Sequence, residues 1–412
     1  MPGHVKKADP NEKDPDPLPY LALTLEMKRA DAQIPYDPKK SYYCPDGKHG
    51  YMECILEGIE GDKATVMCGH EKKVFKAAEV GQVNPRKFEK IEDMADLTYL
   101  NDASVFHNLD VRFKAKLIYT YSGLFCIVVN PYKRYPIYTA TVVKMYLGKR
   151  RNEVPPHLWA ITETAYRNML TNVKNQAMLI TAEAGAGKTE NTKQVIAYLA
   201  AVAVPPKKKG ADDKKVSLED QIVATNPILE SYGNAKTSRN DNSSRFGKFI
   251  RIHFNGAGKL AGCDIESYLL EKSRITQQQE VERSYHIFYQ LLQPHVAAMK
   301  EKCLVTDDIY DYSYVSQGKV TVASIDDNEE LQMTDEAFDI IGFSEEEKWD
   351  CYKLTAAIMA CGEIKFVQKG RDDQAEMGDV VFPKKVAELY GVDFNELFKA
   401  FCKPKIKVGT EW

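Results

Sequence analysis

Residues 178–189, Met-Leu-Ile-Thr-Ala-Glu-Ala-Gly-Ala-Gly-Lys-Thr, run from a short apolar stretch through small residues into Gly187-Lys188-Thr189 and then into a helical pattern. That order of strand, small-residue loop and helix is the layout of a phosphate cradle, and it commits the chain to an α/β core. The residue types suit the task. Ala182, Ala184, Gly185, Ala186 and Gly187, around Glu183, let successive backbone N–H groups face phosphate oxygens, Lys188 supplies a point charge, and the Thr189 hydroxyl can ligate a magnesium ion. Upstream, residues 177–180 read as a buried strand. Downstream, Thr192, Val195, Ile196, Leu199, Ala200 and Ala203 recur at helical spacing, so the loop opens a helix N-terminus.

One position breaks the usual glycine-first pattern of such loops: Ala182. A Cβ there costs about 1 to 2 kcal/mol if the backbone requires a left-handed angle. Taken alone, the segment also fits a turn of small residues that merely joins a strand to a helix.

With 412 residues, 44% of them hydrophobic, the chain can bury a sizeable core, and its length suggests a large domain plus a smaller one. Its 56 basic and 59 acidic residues leave a net charge of -3, which gives no bulk reason to expect nucleic acid or an acidic membrane as partner. The cysteines (44, 54, 68, 126, 263, 303, 351, 361 and 402) are odd in number and lack C-x-x-C or Cys/His spacing. Reduced cytoplasmic thiols are therefore expected, not a disulfide framework or a zinc site. The opening residues are charged and proline-rich, without the apolar run of an export signal, and the longest apolar stretch, near 195–204, is too short to span a bilayer.

Residues 1–33 read as an extended lead-in carrying Pro10, Pro15, Pro17 and Pro19. Residues 34–84 read as a small all-β barrel, with strands at 41–44, 50–56, 64–68 and 72–75 separated by Asp46-Gly47, Glu60-Gly61-Asp62 and Gly69-His70. From residue 85 to 412 the pattern is mixed α/β, with helices near 156–170, 189–202 and 282–292. Inside it, Pro205 to Lys215 reads as an exposed lysine-rich loop, and residues 248–270 as a hairpin turning at Asn255-Gly256-Ala257-Gly258.

Two further segments bear on phosphate chemistry. Asn240-Asp241-Asn242-Ser243-Ser244-Arg245-Phe246-Gly247-Lys248 is a dense polar run whose amide, hydroxyl and guanidinium groups suit a loop closing over a γ-phosphate. Asn130-Pro131-Tyr132-Lys133-Arg134-Tyr135-Pro136-Ile137-Tyr138 follows the apolar strand 124–129 and sets aromatics beside cations, where an adenine ring could lie. Each also fits a structural role, as a polar turn before a strand and as a proline-bent surface loop.

In this order and separation the three segments resemble the myosin motor head, most closely the conventional muscle type. Lys87 to Leu97, Leu117 to Phe125, Leu269-Leu270-Glu271-Lys272-Ser273-Arg274 and Glu282-Arg283-Ser284-Tyr285-His286-Ile287-Phe288-Tyr289-Gln290 look like signatures of the same family. Kinesins share a phosphate loop and a Ser-Ser-Arg switch, but Ser243 to Lys248 has the myosin form. The resemblance implies a P-loop NTPase motor core with an N-terminal SH3-like barrel, ATP and Mg2+ as cofactors, and an actin filament as partner. It also implies light chains and a heavy-chain dimer partner held by downstream regions, and a place in the actomyosin cytoskeleton, such as the muscle thick filament. By similarity, Asn130, Pro131, Tyr132, Arg134 and Tyr138 would border the adenine, and residues 182–189 would wrap the phosphates. Lys188 would touch the β- and γ-phosphates, Thr189 and Ser244 would ligate magnesium, Asn240 would contact phosphate, Ser243 would place the attacking water, and Arg245 would lock the switch closed.

Three departures accompany the resemblance. The family usually has glycine at Ala182 and serine at Ala184, and loss of that hydroxyl would remove a charge-assisted hydrogen bond worth roughly 1.5 to 3 kcal/mol. The family's second switch, whose glutamate pairs with the first-switch arginine, is expected beyond Trp412. Phe338 to Ser344 imitates it but lacks the acid, and aligns better with a helical region. The motor core is therefore expected to be incomplete, a truncated head with apolar surface uncovered and little activity alone. Two rivals remain: a nucleotide-binding or structural filament protein with weak turnover, and a non-motor P-loop enzyme such as a small-molecule kinase.

Overall fold

The computed structural model describes residues 14–203, 218–368, 370 and 375–404, so the lysine-rich run at 205–215 lies outside the described residues. The described residues divide into two compact units, the first made of 14–181 and 186–203, the second of 182–185 and the described residues from 218 onward.

In the first unit a 3-10 turn (Leu18–Tyr20) and helix α1 (Leu25–Ala32) stand where an extended lead-in was expected. Thr24 explains the difference: its Oγ1 accepts from the Met27 N–H at 3.2 Å, and the good helix formers Leu25 to Ala30 follow. Strands β1 (Ser41–Asp46), β2 (Gly50–Glu60), β3 (Lys63–Cys68), β4 (Glu71–Lys76) and β5 (Gly81–Gln82) form one antiparallel sheet in the order β4-β3-β2-β1-β5. Tight turns fix the register, and alternation sends Cys44, Cys54, Val66 and Cys68 into a shared interior with Met52, Leu56, Phe75 and Val80 against it. Here the expectation of uniformly reduced thiols fails, because Cys54 and Cys68 are joined by a disulfide, with Cα atoms 4.5 Å apart. The sequence spacing carries no sign of this pair; only the β2–β3 register sets the two side chains opposite each other.

Asn84 ties the sheet to the segment leading into the next helix, its Nδ2 donating to Tyr99 O at 2.8 Å and to Ser104 Oγ at 3.0 Å. Next come α2 (Asp102–Lys114), the hairpin of β6 (Tyr119–Ser122) and β7 (Phe125–Val128), α3 (Ala140–Tyr146), α4 (Leu158–Asn172) and α5 (Lys188–Ala203). Arg112 of α2 is buried and answers three acceptors, Thr120 Oγ1 at 2.8 Å, Lys90 O at 2.9 Å and Tyr119 O at 2.7 Å. Trp159 of α4 holds α5, donating its indole N–H to Gln194 O at 2.9 Å and lying 5.4 Å from the Tyr198 ring. The strand expected at 177–180 does not form: these residues carry no regular structure, and Leu179 is 90% exposed. A strand needs neighbours for its N–H and C=O groups, and among the described residues no strand pairs with this segment.

In the second unit, α6 (Leu218–Gly233) contains Pro227, which cannot donate to Val223 O; the Asn226 carboxamide does so instead, at 3.1 Å. After α6, the short strand β8 (Asn234–Ala235) pairs antiparallel with β9 (Ser243–Ser244), and the hairpin of β10 (Gly247–Phe254) and β11 (Leu260–Tyr268) follows, as its alternation predicts. Helix α7 (His286–Gln290) is shorter than the 282–292 expectation, because the residues before it pair elsewhere: Tyr285 is extended and bridges Ala235, and Arg283 N–H donates to Lys236 O at 3.2 Å. Arg283 reaches the Asp327 carboxylate at 2.5 and 2.9 Å, and Ser284 N–H donates to Tyr289 Oη at 2.8 Å. The remaining elements are α8 (Met299–Cys303), α9 (Asp327–Ile341), α10 (Glu345–Cys361), β12 (Phe366–Gln368), β13 (Ala375–Met377), α11 (Val381–Tyr390) and α12 (Phe394–Cys402). Phe288, Leu291, Met299, Leu331, Phe338, Tyr352 and Met359 fill their core. The Phe338 to Ser344 imitation is a helix junction: Gly342 (φ +90) ends α9, Ser344 caps α10, and Asp339 accepts from Lys348 Nζ at 2.9 Å.

Candidate nucleotide site

In the first unit, the end of the phosphate loop is fastened from below. Asn191, one turn into α5, donates its carboxamide N–H to Gly187 O at 2.9 Å, and its backbone N–H reaches the same oxygen at 3.0 Å. Because the peptide is planar and trans, turning that carbonyl toward the helix points the Lys188 N–H the opposite way, out of the helix N-terminus. Asn191 Oδ1 accepts from Tyr119 Oη at 3.1 Å, and Tyr119 Oη lies 2.6 Å from Tyr138 Oη. Beneath them His157 is fully buried among Tyr119, Tyr138, Tyr146 and Trp159, and burial pushes its pKa down to about 3, so it stays neutral. Its Nδ1 accepts from the Trp159 N–H at 3.0 Å and so caps α4.

Asn130 lies against the same loop. A Cβ placed on Gly187 would meet Asn191 Nδ2 at 3.5 Å and Asn130 Cγ at 3.7 Å. Asn130 Oδ1 also accepts from the Tyr132 N–H at 3.0 Å, a turn that holds Tyr132 in the left-handed region (φ 51) with its ring 82% exposed. Pro131 is half-buried and Arg134 exposed. Of the expected adenine border, Asn130 is thus beside the loop and Tyr132 presents an open ring, while the Tyr138 hydroxyl turns inward to Tyr119.

Gly185 (φ +78) and Gly187 (φ +96) supply left-handed angles, which bend the loop before Lys188 and Thr189 begin the 16-residue helix α5. Ala182 is absent from the non-glycine residues with positive φ, so the strain considered for its Cβ does not arise. Within the first unit, left-handed Gly187, a long helix opening with Lys188 and the Thr189 hydroxyl in its first turn are donors of the kind that suit phosphate with Mg2+.

In the second unit, the polar run is built into a ladder rather than left as a loose loop. Thr237 N–H donates to Asn240 O at 2.8 Å, Asn242 N–H donates to Asn240 Oδ1 at 3.0 Å, and Asn240 Nδ2 donates to Asn242 O at 3.3 Å. Asn242 is anchored on three sides: Oδ1 accepts from Asn234 Nδ2 at 2.8 Å and lies 3.1 Å from His286 Nε2, and Nδ2 donates to Glu230 Oε2 at 3.1 Å. Arg283 Nη2, which can only donate, sits 3.1 Å from His286 Nδ1, so the imidazole carries its proton on Nε2 and donates it to Asn242. Burial and the nearby Arg283 charge push His286 down to about 3 and keep that arrangement.

Ser243 is 4% exposed and its Oγ accepts from Arg245 Nη1 at 3.2 Å, whereas Ser244 is exposed. Arg245 Nε donates to Glu271 Oε2 at 2.7 Å, and Arg274 donates to the same oxygen at 2.8 Å. Burial opposes ionisation of Glu271, yet the hydrogen bonds from Arg274 and Arg245 outweigh it and hold the carboxyl below its usual range. Ala182 to Gly185 belong to this unit, where Glu183 Oε2 lies 3.9 Å from Arg239 Nη1, both exposed.

Sequence reading gave no role to Tyr119, Asn191, His286 and Glu271. Asn191 had a signal, four residues beyond Gly187 and so one helical turn away; the other three become neighbours of the candidate residues only through the fold.

The family model described as Myosin head (motor domain) matches residues 91–412, and that described as Myosin N-terminal SH3-like domain matches residues 28–84. The chain is 52% identical over 407 residues to a protein named Myosin-1 of Caenorhabditis elegans, covering 98% of this chain and 21% of that one. Proteins named Myosin-3 of Caenorhabditis briggsae and of Caenorhabditis elegans are 50% and 49% identical over 409 residues, each match covering 98% of this chain and 21% of the relative. The chain thus spans about a fifth of the length of these relatives (21% in each).

Proposed function

Because the chain belongs to the myosin motor-head family, we propose that it is the ATP-binding part of a heavy chain whose Mg2+-dependent hydrolysis is activated by actin filaments and drives movement along them. The observation that carries this reading is the Asn130–Gly187–Asn191–Tyr119 cluster, which fixes the direction of the phosphate loop beside the open Tyr132 ring. Bound Mg-ATP would supply the transferable phosphoryl group and most of the charge to be neutralised.

The protein's own contribution is positioning. On this reading residues 182–189 would present backbone N–H groups to the phosphates, Lys188 and Asn240 would hold them, and Thr189 and Ser244 would offer oxygens to the metal. Ser243 would orient the attacking water, and Arg245 would fix the lid. Asn130, Pro131, Tyr132, Arg134 and Tyr138 line the base. Light chains, a second heavy chain and a thick-filament location belong to the same reading of the whole protein.

A second reading, nucleotide binding with weak turnover, is favoured by Ala184 and by the capture of Ser243 Oγ within the lid. Binding of a fluorescent ATP analogue and actin-stimulated phosphate release, both in the full-length protein, test the two. Magnesium-dependent binding that Lys188→Ala abolishes, with release accelerated by actin, is the expected result. Binding without actin stimulation favours the second reading, and no magnesium-dependent binding defeats both.

A further inference from the structure

Within the first unit, the segment ahead of α1 is tied at two points to the chain that follows β7. The Tyr20 ring packs on the Tyr135 ring, their centres 4.8 Å apart and their planes 35° from parallel. Asp14 Oδ2 accepts from the Thr141 N–H at 3.2 Å, in the first turn of α3. Lys116 Nζ lies 5.5 Å from the centre of the Tyr20 ring, so a cation as well as an aromatic face holds that side chain.

The segment that makes these ties is itself stiff. Pro15, Pro17 and Pro19 fix φ at three positions, Leu18 N–H donates to Asp16 Oδ1 at 3.0 Å, and Tyr20 N–H donates to Pro17 O at 3.0 Å. Pro17 and Leu21 are buried on either side of Tyr20. The Tyr20 ring is therefore carried on a short turn anchored at both ends.

Its partner Tyr135 sits in the loop of residues 130–138. Asn130, at one end of that loop, lies beside Gly187, and Tyr138, at the other, is held by the Tyr119 hydroxyl at 2.6 Å. Tyr132 and Arg134, both exposed, stand between Asn130 and Tyr135. A ligand that uses those side chains gains when they are already in place, because less ordering is left to binding.

We propose that Asp14–Leu21 is a strap that presets the 130–138 loop and so lengthens the stay of bound nucleotide, with Tyr20 as its positioning residue. The inference rests on the ATP-binding reading of the same site and adds a control on its base side. Tyr20 acts through Tyr135, and the strap's two ties fall on Tyr135 and Thr141, so its effect belongs to ligands that carry a base. A ligand made of phosphate alone should not feel it.

The test measures release of a fluorescent ADP analogue from the full-length protein with Mg2+, and the affinities of ADP and pyrophosphate by competition. Tyr20→Ala should release the analogue about two- to tenfold faster, the range that loss of one aromatic pair gives, and leave pyrophosphate affinity unchanged. Tyr20→Phe keeps the ring and should match the parent. In a Tyr135→Ala background, Tyr20→Ala should add nothing, because the ring it acts through is gone. Equal weakening of ADP and pyrophosphate would make Tyr20 a general support of the fold and overturn the proposal. Unchanged release in Tyr20→Ala, or release still accelerated in the Tyr135→Ala background, would overturn it too. Should Tyr20→Ala fail to fold, Asp14→Ala at the other tie decides: about twofold faster release with pyrophosphate unchanged supports the strap, and unchanged release overturns it. A parent protein that binds neither ADP nor pyrophosphate defeats the ATP-binding reading and the strap with it, an outcome distinct from a parent that binds both.

Discussion

Arg245, at the end of the polar lid, is paired with Glu271, its Nε donating to Oε2 at 2.7 Å. The same residues are joined through the backbone, where Glu271 N–H donates to Arg245 O at 3.0 Å. The lid is therefore fastened to the turn after β11 twice, once by a backbone hydrogen bond and once by a titratable side chain. Glu271 is also the partner of Arg274, which in turn holds Glu282 at 2.8 Å, so the lid's arginine is the outer member of a four-residue charge chain.

That chain gives an ordering of mutational costs. Glu271→Gln weakens two charge-assisted bonds, and because both Glu271 and Arg245 are partly solvated, the cost should be about 1 to 2 kcal/mol. Arg245→Ala leaves Glu271 still paired with Arg274 and should cost less than half as much. Urea midpoints for the two variants measure this. An equal or larger loss from Arg245→Ala would mean that the carboxylate is not the hub.

The two alanines of the phosphate loop should respond differently to reversion. Ala182 is not left-handed, so Ala182→Gly relieves nothing and should leave nucleotide affinity within about twofold. Ala184→Ser restores a hydroxyl able to bond an anionic oxygen, worth roughly 1.5 to 3 kcal/mol, hence about tenfold or more in Mg-ATP affinity or single-turnover rate. Stopped-flow binding with the full-length protein separates the two substitutions. A gain from Ala182→Gly alone would place the defect in the backbone rather than in the missing hydroxyl.

Much of this was legible because it is local. The sheet strands announced themselves by alternation between Asp-Gly and Gly-Asp turns, α4 and α5 by 3.6-residue spacing, and the β10–β11 hairpin by Asn255 to Gly258 between alternating runs. The phosphate loop needed only its own residue types. What was hidden depends on pairing at a distance. Tyr119 and Asn191 are 72 positions apart and meet only when β6 packs beside α5. Residues 177–180 have a strand's composition, but composition supplies no partner edge, and without one the segment stays extended and solvated. Cys54 and Cys68 were read as scattered thiols because a cross-strand pair has no sequence signature until the register is known.

Arg112 makes a test of burial without a directly bonded carboxylate, the Glu92 charge acting on it only from a distance. It is 1% exposed, and its acceptors are two carbonyls and a hydroxyl; burial lowers its pKa to about 10, so it remains charged at neutral pH. Arg112→Lys cannot reproduce the three-pronged geometry and should cost about 2 kcal/mol, and Arg112→Ala, which also leaves a cavity, about 3 to 5 kcal/mol. Chemical denaturation gives both values. Losses below about 0.5 kcal/mol would show that Lys90 O and Tyr119 O find water once the guanidinium is gone.

His157 and His286 should dominate the acid side of the stability curve. Both are buried and neutral in the fold, with pKa values near 3 against an ordinary 6.5. Between those limits the unfolded chain binds protons that the folded chain refuses. Stability is thus complete above pH 6.5 and falls as pH drops, by about 1.4 kcal/mol per pH unit for each histidine. At pH 5 each would have removed about 2 kcal/mol relative to pH 7.5. Protonating His286 would also put a hydrogen on Nδ1 facing Arg283 and so disturb the anchor of Asn242 beneath the lid. His157→Asn keeps a side chain able to cap α4 but removes the titration. It should therefore be less stable than the parent at pH 7.5, because it leaves a cavity, yet lose about 2 kcal/mol less between pH 7.5 and pH 5. Urea midpoints at the two pH values decide the matter: parallel losses in parent and variant would mean that His157 is already protonated, or already hydrated, in the folded chain.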